Sequence, residues 1–164
     1  MTLSYKEIES PVGKLKLVAN ASALVGVLWE WEGPNPVRLD AQNDDGHNLV
    51  LMEAERQLFE YFAGTRTQFE LPLEPDGTEF QKKVWHSLTR IPFGKTKSYM
   101  EIARAVGSPR ACRAVGGATG RNPLSIVTPC HRVVGANGAL TGFGGGLETK
   151  AKLLALEARA SESR

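Results

Sequence analysis

The stretch that decides the fold runs Tyr99-Met100-Glu101-Ile102-Ala103-Arg104-Ala105-Val106-Gly107-Ser108-Pro109-Arg110-Ala111-Cys112-Arg113-Ala114-Val115-Gly116-Gly117-Ala118-Thr119. Tyr99–Val106 predicts a short helix, and Gly107 turns the chain. Ser108-Pro109 then starts a second helix, with serine at the N-cap and proline in the first helical position. Two short helices joined by a glycine-containing turn point to a helix-turn-helix. The second helix, from Pro109 to about Thr119, presents Arg110, Arg113 and Gly117 on one side. Cys112, Val115, Gly116 and Thr119 lie on another, which marks Cys112 as structural. Ala111, Ala114, Gly116, Gly117 and Ala118 make this helix thin. Thinness serves tight packing in an ordinary protein and close approach to DNA in a helix-turn-helix, and the sequence leaves both open.

On the N-terminal side, Phe80, Val84 and Leu88 repeat every four residues with Trp85 beside them, and Pro92-Phe93-Gly94 ends that helix. Pro72 through Gly77 has the character of a linker. Before it, His47–Phe62 predicts a helix whose core face carries Leu51, Ala54, Leu58 and Tyr61. The first 35 residues read as strands, Tyr5–Glu9, Lys14–Ala19 and Leu24–Trp31, separated by Pro11-Val12-Gly13 and Asn20-Ala21-Ser22. Strict alternation puts Val25, Val27, Trp29 and Trp31 on one face of the third strand. Gly33-Pro34-Asn35-Pro36 breaks that pattern. The chain therefore divides into an N-terminal α/β domain with an antiparallel sheet, 1–77, and a mainly helical domain, 78–164. The fold class is α+β, with no internal repeat.

Charge divides along the same line. Residues 1–78 hold 6 Lys/Arg against 13 Asp/Glu, whereas residues 79–164 hold 14 against 5. Such a basic half either meets a polyanion or merely solvates its faces. A hydrophobic content of 41% with 23% charged residues is that of a soluble globular protein. No apolar run is long enough to span a bilayer, and the N-terminus lacks a signal-peptide pattern. These features place the chain in the cytosol, away from membranes, where thiols stay reduced. Two cysteines, Cys112 and Cys130, are too few for a disulfide framework or for a zinc site by themselves.

The chemistry concentrates in Asn122-Pro123-Leu124-Ser125-Ile126-Val127-Thr128-Pro129-Cys130-His131-Arg132-Val133-Val134-Gly135. Pro129 fixes its own φ and biases Thr128 towards extended backbone, so Cys130 sits on a rigid turn. A histidine adjacent to a cysteine can take the thiol proton, directly or through water, and leave a nucleophilic thiolate. A buried cysteine beside a surface histidine has the same local sequence. In the last helix, 147–160, Leu147, Ala151, Leu154 and Ala158 form the expected core stripe, flanked by Leu153 and Leu156. Glu157 falls against that apolar face, where it either reaches solvent or orients His131. Thr141 through Gly146 is a glycine loop able to close around a ligand, as any flexible loop of that composition is.

Pro129-Cys130-His131-Arg132-Val133, preceded by Arg113-Ala114-Val115-Gly116 and Asn122-Pro123, resembles the O6-alkylguanine-DNA alkyltransferases, also called methylated-DNA–protein-cysteine methyltransferases. The match runs in order and spacing from roughly Thr78 to Glu157. The strand-rich N-terminal part resembles the family's small ribonuclease H-like domain more loosely. The resemblance implies that Cys130 accepts the alkyl group, with His131 as its base through water and Glu157 holding the imidazole. It implies that Tyr99 serves N3 of guanine and that Arg113 fills the gap left by a flipped nucleotide. Ala114, Gly117, Arg121 and Ser98 accompany Arg113 in DNA binding, and Asn122 braces the turn before the active-site segment. The Cys130 and Val133 carbonyls would accept from the guanine amine, with Phe143 and Gly144 over the base. The implied partner is double-stranded DNA containing O6-alkylguanine, less directly O4-alkylthymine, entered from the minor groove. The expected protein is a monomer in solution, able to bind DNA cooperatively, with no cofactor and no metal.

Two positions depart from the family pattern. Phe143 stands where tyrosine is common, which removes a hydroxyl near the base. Gly144 offers only its backbone N–H to O6. Zinc ligands found in some relatives are absent, since residues 1–78 contain no cysteine and only His47. Two rivals compete with alkyl transfer: a cysteine hydrolase, which does not need a helix-turn-helix, and a lesion-binding helix-turn-helix module without transfer, in which Cys130 is incidental.

Overall fold

Pro11-Val12 is the two-residue loop of a hairpin whose last pair is Ser10 and Gly13. Gly13 has φ +100°, a conformation that favours glycine, and the Ser10 hydroxyl donates to its carbonyl at 2.6 Å. In this computed structural model, which describes residues 2–32, 36–44 and 46–162, the hairpin joins β1 (Ser4–Ser10) to β2 (Gly13–Ala19). β3 (Leu24–Trp29) pairs antiparallel with β2. The pair Gln42–Asn43, β4, adds to β1 in parallel, so the sheet order is β3-β2-β1-β4.

One face of this sheet is covered by α1 (Leu49–Phe62), capped by the Asn48 side chain, with Leu51, Ala54, Leu58 and Tyr61 turned inward as the spacing predicts. The register of β2 and β3 shifts between Val18 and Ala19. That bulge overturns the expected alternation. Val27 and Trp29 join the core beneath α1, whereas Val25 packs with Val18 and Leu28 on the opposite face. Trp31 lies beyond the strand end and is 70% exposed. The expected break at 33–36 falls mostly outside the described residues.

The segment expected to be a linker is pinned instead. Leu24 N–H donates to the Pro72 carbonyl at 2.8 Å, and Glu74 N–H donates to the Leu24 carbonyl at 2.9 Å. Asn20 Nδ2 adds a bond to the Glu74 carboxylate at 2.7 Å. The chain thereby leaves the sheet along a fixed edge and enters α2 (Glu79–Leu88), which opens with a reciprocal Thr78/Gln81 cap. This helix ends at Leu88, earlier than Pro92.

α3 (Tyr99–Ala105) and α4 (Cys112–Gly120) form the two short helices. Gly107 turns the chain with φ +76°. Ser108-Pro109 does not cap α4 as its sequence suggests. Ala111 N–H bonds back to the Ser108 carbonyl at 2.9 Å, which spends these residues on a tight turn and delays the helix to Cys112. Val84, Trp85, Leu88, Ile102, Val115 and Ala118 pack between the three helices, and the Trp85 indole donates to the Ala118 carbonyl at 2.8 Å.

α5 (Leu147–Glu162) closes the fold. Its buried residues are Lys150, Leu153 and Glu157, not the stripe expected from its leucines and alanines. Leu147 is 49% exposed. The face turned inward is thus framed by a buried cation and a buried anion. Leu124, Ile126, Val127 and Leu153 pack into the same core as the sheet and α1, so the C-terminal segment is seated directly on the N-terminal one.

Candidate active site

The segment 122–129 is clamped before it delivers the cysteine. Asn122 Nδ2 donates to the Thr128 carbonyl at 2.9 Å, and its Oδ1 accepts from Leu124 N–H at 3.0 Å. β3 grips the same segment, with Val27 N–H on the Pro123 carbonyl at 2.8 Å. The Trp29 indole donates to the Ser125 hydroxyl at 3.0 Å. Ile126 is held at φ +73°, a strained position for a β-branched residue that costs about 1–3 kcal/mol. The surrounding bonds over-determine it. After Pro129, the chain makes a single 3₁₀ turn, Cys130–Arg132, followed by β6 (Val133–Val134), which pairs in parallel with β5 (Lys97–Ser98).

Cys130 is 5% exposed. Burial pushes its thiol pKa up, and hydrogen bonding to Asn122 and the charge of Lys150 work against that rise. His131 is fully buried, with Nε2 2.6 Å from Glu157 Oε2. Arg132 donates to the same carboxylate through Nε at 2.8 Å and Nη2 at 3.0 Å. Tyr61 of α1 donates its hydroxyl to Oε2 at 2.6 Å, and Gly94 N–H reaches Oε1 at 3.1 Å. Burial alone pushes the Glu157 carboxyl up, but the hydrogen bonds and charges of His131 and Arg132 outweigh it and hold the pKa at about 2. An ionised carboxylate accepts only, so Nε2 of His131 carries the proton and Nδ1 carries the lone pair. Nδ1 is buried and, among the described residues, has no hydrogen-bond partner. Burial holds the imidazole below its usual pKa, against the pull of Glu157. The turn therefore holds a buried thiol and, at the next residue, a neutral imidazole whose Nε2 is anchored by a fixed anion.

A second buried ion sits on the other side of the turn. Lys150 Nζ donates to the Val133 carbonyl at 2.6 Å and to the Thr141 carbonyl at 2.9 Å. This ammonium ties β6 to the glycine loop, and it occupies the carbonyl expected to receive a guanine amine. Thr141 also donates its hydroxyl to Tyr99 Oη at 3.0 Å. Phe143 meets the Trp29 ring edge-on at 5.6 Å. Gly145 is required there, since a Cβ would lie 2.7 Å from the Trp29 ring. Gly144 has no such constraint. The cavity beside Cys130, walled by Glu32, Asn122, Ser125, Phe143 and Gly144, holds about 20 Å³, room for one water and far short of a base.

The expected DNA-facing residues separate into two groups. Arg113, Ala114 and Gly117 share the exposed face of α4 with Gly120. A Cβ at Gly116, Gly117 or Gly120 would meet nothing within 4 Å. Packing among the described residues therefore does not demand glycine at these three positions. Asn122, by contrast, is buried. Ser98 caps α3, accepting from Glu101 N–H at 3.1 Å, and Arg121 Nη1 donates to the Pro36 carbonyl at 3.4 Å. Cys112 is half-buried and free at the start of α4. Sequence reasoning missed Lys150, Tyr61, Ser125 and the anchoring role of Arg132. Only Arg132, inside the Pro129–Val133 segment, left a signal that could have found it.

Fold and site together define a class: a protein that joins a helix-turn-helix to a thiol, imidazole and carboxylate buried behind it. Residues 3–75 match the model of the ribonuclease-like domain of 6-O-methylguanine DNA methyltransferase, and residues 79–159 match that of its DNA-binding domain. The chain belongs to this 6-O-methylguanine DNA methyltransferase family. It is 45% identical to the methylated-DNA–protein-cysteine methyltransferase of Mycolicibacterium paratuberculosis, over 97% of this chain and 94% of that one. It is 46% identical to the constitutive methylated-DNA–protein-cysteine methyltransferase of Bacillus subtilis, over 93% and 94%. Among solved structures, that of Mycobacterium tuberculosis OGT in complex with DNA superposes with a TM-score of 0.88 at 44% identity, covering 96% of this chain and 94% of that one.

Proposed function

We propose that this chain repairs DNA directly, moving an alkyl group from O6 of guanine in a duplex to the sulfur of its own Cys130, once per molecule. The observation that carries this is the buried thiol next to a histidine whose Nε2 is anchored by an ionised Glu157, in a chain whose glycine-thinned α4 carries Arg113 on its exposed face. His131 takes the thiol proton at Nδ1, through one water. The thiolate attacks the alkyl carbon; the carbon–sulfur bond forms, the carbon–oxygen bond breaks, and the electron pair leaves with guanine. Tyr99 stabilises that leaving base at N3, and the proton held by His131 restores neutrality. The product thioether is stable, because a thiolate is a poor leaving group from a saturated carbon, so each molecule stops after one transfer.

Reaching O6 requires the nucleotide to leave the stack, at a cost of about a few kcal/mol. Arg113 offsets part of this by entering the gap, with Ala114 and Gly117 allowing close approach along the minor groove. The narrow cavity at Cys130 means that the glycine loop, 142–144, must shift to admit the base. In this reading 1–77 and 78–164 are the two structural units, the protein acts in the cytoplasm as a monomer able to line up on DNA, and O4-alkylthymine is a second candidate substrate. A lesion-binding module without transfer has no use for the Cys130–His131–Glu157 set. A duplex carrying one O6-methylguanine, digested after incubation with limiting protein, tests the reading. Unmodified guanine should reappear at one equivalent per chain. Repair continuing past one equivalent, or a lesion bound and never lost, contradicts it.

A further inference from the structure

We propose that Tyr61, on the helix of the N-terminal unit, is a positioning residue of the proton relay: its hydroxyl tunes Glu157 and, through Glu157, the basicity of His131. The inference rests on Cys130 and His131 acting as described above. The Tyr61 ring is fully buried and gripped by Phe62, Phe69 and Phe93 at centroid distances of 5.3, 5.6 and 6.0 Å. That grip aims the hydroxyl at Glu157 Oε2, 2.6 Å away. Oε2 is the same oxygen that takes His131 Nε2 at 2.6 Å and Arg132 Nη2 at 3.0 Å.

The carboxylate does not need Tyr61 to remain charged. Arg132 supplies its counter-ion through two bonds, and Gly94 N–H satisfies the other oxygen. What the phenol changes is how strongly Oε2 holds the proton on His131. A carboxylate oxygen shared among three donors concentrates less charge on each than one shared between two. With the Tyr61 hydroxyl in place, Glu157 anchors the ring while stabilising imidazolium less. The other charged or titratable groups around His131 are Arg132 and Cys130 on its own turn and Lys150 on α5. Arg132 and Lys150 also disfavour imidazolium. Glu157 alone favours it, and Tyr61 restrains Glu157. His131 is thereby kept neutral, the state in which it can take the proton of Cys130. The N-terminal unit thus acts on the reaction centre itself, beyond supporting it, and the Trp29 bond to Ser125 is a second thread from the same unit.

Tyr61→Phe keeps the gripped ring and removes the hydroxyl. Two measurements read the result: titration of the His131 ring nitrogens by NMR in the unreacted protein, and the pH dependence of the single-turnover transfer rate to Cys130. The His131 pKa should rise by about 0.5–1 unit, and the acid limb of the rate profile should move up with it. Incorporation of 3,5-difluorotyrosine at 61, a stronger donor of the same shape, should move both the other way, and it serves where the phenylalanine variant does not fold. Titrations that superimpose on those of the unsubstituted protein overturn the proposal. Because the NMR titration needs no transfer, a displaced His131 in a protein that never alkylates Cys130 sinks the assigned reaction and leaves the coupling standing. Transfer with an unmoved His131 sinks the coupling alone.

Discussion

The Lys150 ammonium lies 2.6 Å from the Val133 carbonyl and 2.9 Å from that of Thr141, joining the strand after the active cysteine to the loop over it. Both carbonyls lose their partner in Lys150→Met, a change that keeps most of the side-chain volume. The buried Val133 carbonyl left unpaired costs about 1–3 kcal/mol, whereas the part-buried Thr141 carbonyl can turn to water. The variant should unfold at lower temperature by a margin reflecting about 1–3 kcal/mol, and transfer to Cys130 should slow as the thiol loses the nearby charge that favours its thiolate. Differential scanning calorimetry and single-turnover kinetics check the two parts. An unchanged unfolding temperature would remove Lys150 from this role.

Glu157 is the hub of five donated bonds, two of them from Arg132. Glu157→Gln leaves the Arg132 guanidinium buried without its anion, a change that costs about 3–5 kcal/mol in comparable buried pairs. It also removes the charge that stabilises imidazolium, so transfer should fall steeply even in molecules that remain folded. Denaturant titration alongside transfer assays separates the two losses. Full activity in a folded Glu157→Gln protein contradicts the relay.

Stability should fall on the acid side of neutrality. His131 has a folded pKa depressed by burial, so the unfolded chain binds its proton first. Its contribution is complete above the unfolded pKa, near 6.5, and declines as pH falls below it. Glu157 has a folded pKa of about 2 against an ordinary 4.5, so its contribution is lost across that lower window. Both slopes have the same sign, since the unfolded state holds more protons throughout. Unfolding free energies measured from pH 8 to pH 4 should decline below about pH 6.5. A flat curve down to pH 5, or a rise on acidification, contradicts the assignment of a neutral buried His131.

Arg113 lies on the exposed face of α4. If it fills the gap left by a flipped nucleotide, Arg113→Ala should slow repair of a duplex by about tenfold or more, the equivalent of roughly 1.4 kcal/mol. Reaction with a free O6-alkylguanine base should be nearly unaffected. Rate constants for the two substrates decide the matter, and equal losses on both exclude the flipping role.

What could be read from sequence was local. The helix-turn-helix shows because its turn glycine and apolar spacing lie within about twenty residues. Cys130 and His131 show because they are adjacent and follow a proline. α5 was out of phase for a physical reason: its inward face carries Lys150 and Glu157, and charged residues look like surface to any pattern built on hydrophobicity. Tyr61 fits the core spacing of α1, and nothing near it reveals a hydroxyl partner 96 positions along the chain. Val25 changed faces because a bulge broke the alternation of β3. Ser108-Pro109 has the form of a helix start, yet the turn after α3 consumed it. The exposure of Gly117 and Gly120 on α4 depends on how the helix packs, which small residues alone do not specify.

Intact-protein mass spectrometry after mixing the chain with a duplex containing one O6-methylguanine is the most direct test of the central claim. The account predicts a gain of one methylene equivalent, located at Cys130 by peptide mapping, saturating at one per chain, and absent from Cys130→Ser, which should still bind the duplex. An unchanged mass in folded protein with its thiol reduced, or a methyl group found at Cys112 in place of Cys130, would contradict it.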